Sequence, residues 1–377
     1  MNGVRLGLTL ILLQAWLLVA HADESLRIDA ETYRDKCAGA WAGQMIGASY
    51  GTSFSFQSLN APNTGELKPW QPAQIVNGLQ RQELFIDTIL LQALLDHGPA
   101  ITSKEAGLAF ARSKYEMSGA NVFGRENVRL GILPPRSGNA KHTLHGEEID
   151  FQMQADVLGI VAPGMPKESS RLCKVFGRIM CNGDGVHGGM FVAGMYAAAY
   201  VHNDVRAVVE AGLKCIPKDS PYRECISDVL AWHDEAPDDW RATWTQVQPK
   251  WNANANRDGH ARPDLTARLN GAYATIALLF GDGDMARTLE IAVRCGQRCG
   301  SNASTAAGVL GCMRGFDALV PGWAPAFEEI RGTPFFSSDF TLRSAVTASE
   351  TIAGQVVRRT GGNVEQDTFV IVVRGES

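Results

Sequence analysis

Along most of the chain, apolar residues return every three or four positions, the spacing of one face of an α-helix. From Thr32 to Tyr50, Cys37, Ala38, Trp41, Ala42, Met45 and Ile46 share a face, while Gly39, Gly43 and Gly47 recur on a neighbouring one. Intrinsic propensity disfavours glycine inside a helix, so this spacing predicts close approach of a second helix. Helical patterns follow over 83–97, 103–117, 147–161, 167–181, 190–201, 204–215, 220–233, 238–251, 264–280, 284–296, 303–316 and 340–360. The stretch 122–145 is irregular, and only Thr368 to Val373 reads as a strand. The pattern predicts one large all-α domain over 23–377 with a short C-terminal strand.

Two glycine-rich breaks interrupt these patterns. Arg294 to Gly308 lies between a helix capped by Asp284 and the next helical run, and a loop of small residues ending at a helix start can hold an anion on its unpaired N–H groups. In the other, Gly183, Gly185, Gly188 and Gly189 could cradle a phosphate or serve close packing. There Asp184 and His187 could contact a ligand or cap the helix that follows. Asp150 and Asp156 stand six apart, on different faces, which is no glycosidase carboxylate pair. Trp240, Trp244 and Trp251 share a face and read as core, with carbohydrate stacking as the alternative.

Composition narrows the class. Of 377 residues, 45% are hydrophobic and 20% charged, which excludes wholesale disorder, and the net charge of −5 argues against a nucleic-acid partner. Residues 1–22 read as a secretory signal, with Arg5, an apolar run from Leu6 to Ala20, and cleavage after Ala22. The mature chain is then exported, periplasmic or secreted, with no membrane segment. Eight cysteines in an exported chain predict disulfides, first Cys215–Cys225 and next Cys295–Cys299. Cys37, Cys173, Cys181 and Cys312 fit helical core positions. Asn302-Ala303-Ser304 is formally a glycosylation acceptor, read as accidental.

Five segments taken in order resemble the ADP-ribosylglycohydrolase family: Ala38 to Gly47, Ile149 to Asp156, Gly183 to Phe191, Leu269 to Tyr273, and Cys295 to Gly311. The resemblance implies an orthogonal all-α bundle. It also implies a cleft that holds two magnesium or manganese ions and hydrolyses the bond from ADP-ribose to an acceptor. Hard dications need oxygen ligands, chiefly carboxylates. The family's first ligand position falls near Gly51, its Thr-Asp-Asp run on Arg81-Gln82-Glu83, and its Asp-x-Asp-Thr run on Arg298-Cys299-Gly300-Ser301. Only Glu83 keeps a carboxylate and only Ser301 a hydroxyl, so no metal cofactor is expected. Glu83 and Arg298 either meet across the cleft or stand apart as surface residues.

The leading reading is a catalytically impaired, ligand-binding relative. Its contacts to a ribosyl, nucleotide or glycan ligand would come from Arg81, Gly183, Asp184, Gly185, His187, Gly188, Gly189, Arg298, Ser301 and Asn302. One rival is a metal-independent glycosyl hydrolase using Glu83 with Asp87 or Asp184, although Asp87 reads first as a solvated helix acid. The other is a structural or partner-binding protein with a filled cleft.

Overall fold

The computed structural model describes residues 24–252, 263–319 and 323–373. The expected signal at 1–22 lies outside them. Among the described residues, no helix is long and apolar enough to cross a membrane.

The chain opens with β1, Glu24–Asp29, and enters α1, Ala30–Gly51, where the Asp29 carboxylate accepts from the Thr32 N–H at 2.7 Å. A short α2, Ile75–Gly78, precedes α3, Gln82–His97, and α4, Ser103–Arg112. Thr102 and Glu105 form a reciprocal cap at the start of α4. Then come α5, Gly119–Arg129; α6, Asp156–Ile160; α7, Pro166–Phe176; α8, Gly183–Ala199; α9, Val205–Lys214; α10, Pro221–Glu235; and α11, Trp240–Val247. The last helices are α12, Ala267–Gly281; α13, Met285–Arg294; α14, Cys299–Arg314; α15, Ala324–Ile330; and α16, Leu342–Arg359. A hairpin of β2, Asn363–Glu365, and β3, Thr368–Val373, closes the described chain.

The architecture is helical, with one small antiparallel sheet ordered β1-β3-β2. Leu26 pairs with Ile371 and Ile28 with Phe369, which brings the two ends of the described chain together. The sequence showed β3 but not β1, whose two apolar residues are too few for a clear alternation.

The centre is the pair α1 and α14. A Cβ added at Gly39, Gly43, Gly47 or Gly51 would lie 2.1–2.4 Å from the carbonyl oxygens of Gly311, Ala307, Ala303 and Cys299, taken in turn. Hydrogen is the only side chain that fits, so the glycine spacing is the imprint of two backbones in contact.

Elsewhere the boundaries moved for identifiable reasons. The expected helix 147–161 is instead a bridge from Glu148 to Thr266, a 3-10 turn at Gln152–Gln154 and the short α6. The irregular 122–145 contains most of α5, whose first N–H groups at Ala120 and Asn121 are taken by the distant Asp150 carboxylate. α8 starts at Gly183, inside one glycine-rich break, and α14 starts at Cys299, which narrows the other break to residues 295–298.

The eight cysteines are free, and the disulfide expected between Cys215 and Cys225 does not form. Cys215 Sγ lies 3.6 Å from the Pro166 carbonyl beside α7, whereas Cys225 Sγ faces the Arg268 carbonyl of α12 at 3.8 Å. Cys299 Sγ likewise turns to the Val293 and Phe54 carbonyls rather than to Cys295. Cys37, Cys173, Cys181 and Cys312 are buried, and burial pushes the Cys37 thiol up to about 12. Trp240, Trp244 and Trp251 are buried as core; the indole N–H of Trp244 donates to the Cys295 carbonyl and that of Trp251 to Asp228.

Candidate functional site

Arg298 sits at the N-cap of α14, where Gly296 and Gln297 adopt positive φ of 83° and 61°. A left-handed Gln297 is strained, and a backbone zipper holds it: Gln297 N donates to the Ser58 carbonyl, Phe56 N to the Gln297 carbonyl, and Asn63 N to the Arg294 carbonyl. The segment 54–63 is thereby stitched along the approach to α14.

The half-buried Arg298 guanidinium lies 5.5 Å from the Phe56 ring centre, and its Nη2 donates to Met153 Sδ at 3.5 Å. Ser301 Oγ donates to the same sulfur at 3.2 Å, and Gly300 N donates to Ser55 Oγ at 2.9 Å. Asn302 Nδ2 reaches Asn270 Oδ1 at 3.0 Å, and Asn270 in turn donates to the Thr266 and Asp264 carbonyls. Asn302 and Ser304 are each 1% exposed, so the formal glycosylation triplet is sealed inside the folded chain.

Asp150 is the residue that sequence reasoning passed over. It is 4% exposed and accepts from Asn121 Nδ2 at 3.2 Å. Burial raises its carboxyl above the ordinary value; the positive charge of Arg298 and the N–H groups of Ala120 and Asn121 pull it back in part. The signal was present, since Asp150 lies in the segment that resembles the family, but six-residue spacing from Asp156 made it look isolated. Asp156 does lie apart, in another buried group.

That second group lies in the core. Asp87 was expected to be solvated, yet it is fully buried, as are Asp156, Gln44 and Tyr196. Burial raises the Tyr196 phenol strongly, and the charges of Asp156 and then Asp87 raise it further. Gly308 of α14 leaves room for this layer, because a Cβ there would lie 1.8 Å from Tyr196 Oη. The chain neighbour of Asp87, Ile86, is fully buried as well.

The other candidates belong elsewhere. Asp184 forms a buried ion pair with Arg268 Nε at 3.0 Å and lies 3.4 Å from His187 Nδ1. Ser220 Oγ approaches the same Nδ1 at 3.0 Å, so Ser220, His187 and Asp184 cannot act as a nucleophile relay, which needs the hydroxyl and the acid on opposite ring nitrogens. Gly185, Gly188 and Gly189 are inside α8, and a Cβ at each would strike the Gly146 carbonyl, Gln152 or Phe151 at 2.3 Å. Close packing accounts for them; they form no open loop. Gly183 is exposed at the first position of α8 with φ 47°. Arg81 is the half-buried N-cap of α3. The Glu83 side chain, and with it a pairing to Arg298, lies outside the described residues.

A dication pair does not fit these groups. Where the resemblance places two aspartates stand a guanidinium, which repels a cation and has no lone pair, and a glycine with no side chain. Among the described residues, no group of three or more His, Cys, Asp and Glu is placed to hold a metal ion.

Comparison with known proteins agrees with the fold. No curated protein sequence matches the chain. A solved structure described as an "ADP-ribosylglycohydrolase-related protein complex" superposes with a TM-score of 0.60 at 16% identity, covering 86% of this chain and 99% of the other. At that identity the likeness speaks for the fold alone. The family model for ADP-ribosylglycohydrolase matches residues 29–360, nearly the whole described chain. The chain therefore belongs to the ADP-ribosylglycohydrolase family.

Proposed function

We propose that this protein is an exported member of the family that has lost dication-dependent glycohydrolase chemistry and uses no metal cofactor. The observation that carries the reading is Arg298, whose guanidinium stands at the start of α14 between Phe56 and Met153 and acts electrostatically on Asp150. A fixed positive charge there suits an anionic or hydroxyl-rich ligand, a ribosyl, nucleotide or glycan group, which it would hold without a metal. Ser301 and Asn302 are too deeply buried to be leading ligand contacts.

A second reading, a partner-binding protein with a filled cleft, is favoured by Phe56 and Met153 closing on the guanidinium. The metal-independent hydrolase using Glu83 with Asp87 or Asp184 is disfavoured, since Asp87 is sealed in the core and Asp184 is bound to Arg268. Calorimetry with ADP-ribose, with and without magnesium, separates these readings alongside elemental analysis of the purified protein. We expect binding that is indifferent to magnesium and weakened about tenfold or more by Arg298→Ala, the loss of one charge-assisted contact. Stoichiometric metal, or binding that requires it, would refute the proposal, and no binding at all would favour the partner-binding reading.

A further inference from the structure

A second cavity, separate from the Arg298 site and sharing no residue with the groups around it, opens beside the start of α8. Its volume is about 560 Å³, and Arg136, Lys174 and Arg178 line it. No carboxylate lines it, although the protein as a whole carries a net charge of −5. Three other cavities of the described residues, at α1 with α16, at α13 with Trp70, and at the turn between α12 and α13, carry two to four acidic residues each. The three cations come from separate places: Arg136 from the 131–146 segment, Lys174 from the last turn of α7, and Arg178 from the 3-10 turn after it. All three are exposed, and none forms a side-chain hydrogen bond or ion pair among the described residues. Cations at the end of α7 complement the helix dipole, which is reason enough for Lys174. It gives no reason for Arg136 to converge on them from another segment.

We propose that this cavity binds a phosphoryl group, as a phosphomonoester or as free phosphate. Two guanidinium groups and an ammonium offer a dianion the donors it prefers, and keeping three like charges together is unfavourable unless an anion joins them. The lining also includes the apolar Pro135, Val186, Met190 and Pro217, and the volume exceeds that of one phosphate, leaving room for an organic remainder. The start of α8 adds little attraction of its own, because Glu147 Oε1 lies against Gly183. Asp184, in the same turn, is held by Arg268.

Titration calorimetry of the full chain with inorganic phosphate and with phenyl phosphate tests this. Millimolar or tighter binding is expected, weakened about tenfold or more in Arg136→Ala/Lys174→Ala/Arg178→Ala. Circular dichroism should show the triple variant folded, since all three side chains are exposed, and Arg343→Ala, an exposed cation elsewhere, should bind as the parent does. Tighter binding of phenyl phosphate identifies the ligand as a phosphomonoester; equal binding identifies free phosphate. The proposal fails if the parent shows no binding of either probe at roughly 10 mM. It also fails if the triple variant keeps the parent's affinity, or if Arg298→Ala abolishes binding instead. Because ADP-ribose binding at Arg298 is measured with a different variant, the two sites can fail independently.

Discussion

Arg298 acts on the chemistry of Asp150. Burial pushes the Asp150 carboxyl up while Arg298 draws it down, and burial is the larger effect. A carboxyl raised by folding supplies stability that is complete below its unfolded value of 3.8 and is lost as pH rises through the folded value. Asp150→Asn, which keeps an acceptor for the α5 N–H groups, should therefore gain stability relative to the parent as pH rises from about 4 to about 7 in urea unfolding. A parallel pH dependence in both proteins would show that Asp150 titrates normally. The arginine standing where the resemblance places an aspartate was legible from sequence, as a side chain that offers a dication no lone pair. Its neighbours were not, since Phe56 comes from one segment and Asp150 and Met153 from another, and no local pattern encodes their convergence on Arg298.

The glycine ladder shows what sequence conveys well at the scale of elements. Gly39, Gly43 and Gly47 predicted a contact between helices, and the contact is with α14. Gly47→Ala would force a methyl to within 2.1 Å of the Ala303 carbonyl, where neither backbone can yield without parting the pair. Chemical denaturation should show a loss of about 3 kcal/mol. Gly332→Ala, with nothing within 4 Å, should stay within about 0.5 kcal/mol of the parent. The same residue type misled at α8, whose first two turns are rich in glycine and looked like a loop. Local propensity was overridden there by packing, with Phe151 and Gln152 filling the space that the α8 glycines vacate.

Across the whole molecule, helix content and the family were readable because the periodic patterns are long and five matched segments keep their order. The three-stranded sheet was half readable, and its weight in the fold is larger than its size. Phe369 is 3% exposed and packs edge-on against Tyr33 of α1 with ring centres 5.1 Å apart. Phe369→Ala should cost about 3–5 kcal/mol in thermal or urea unfolding, the range for removing a buried aromatic. A loss below about 1 kcal/mol would mean that the sheet is an ornament on the bundle.

The pairing of β1 with β3 also has a consequence in time. A chain made from its N-terminus presents Leu26 and Ile28 first and must wait for residues 368–373 before those side chains find their partners. Until those residues emerge, β1 is an unsatisfied strand edge attached to a growing bundle. Contacts of such long sequence separation form late, and open edges invite pairing with other chains. This protein thus has an interval of vulnerability set by the order in which its residues appear, one in which a holding chaperone would matter most.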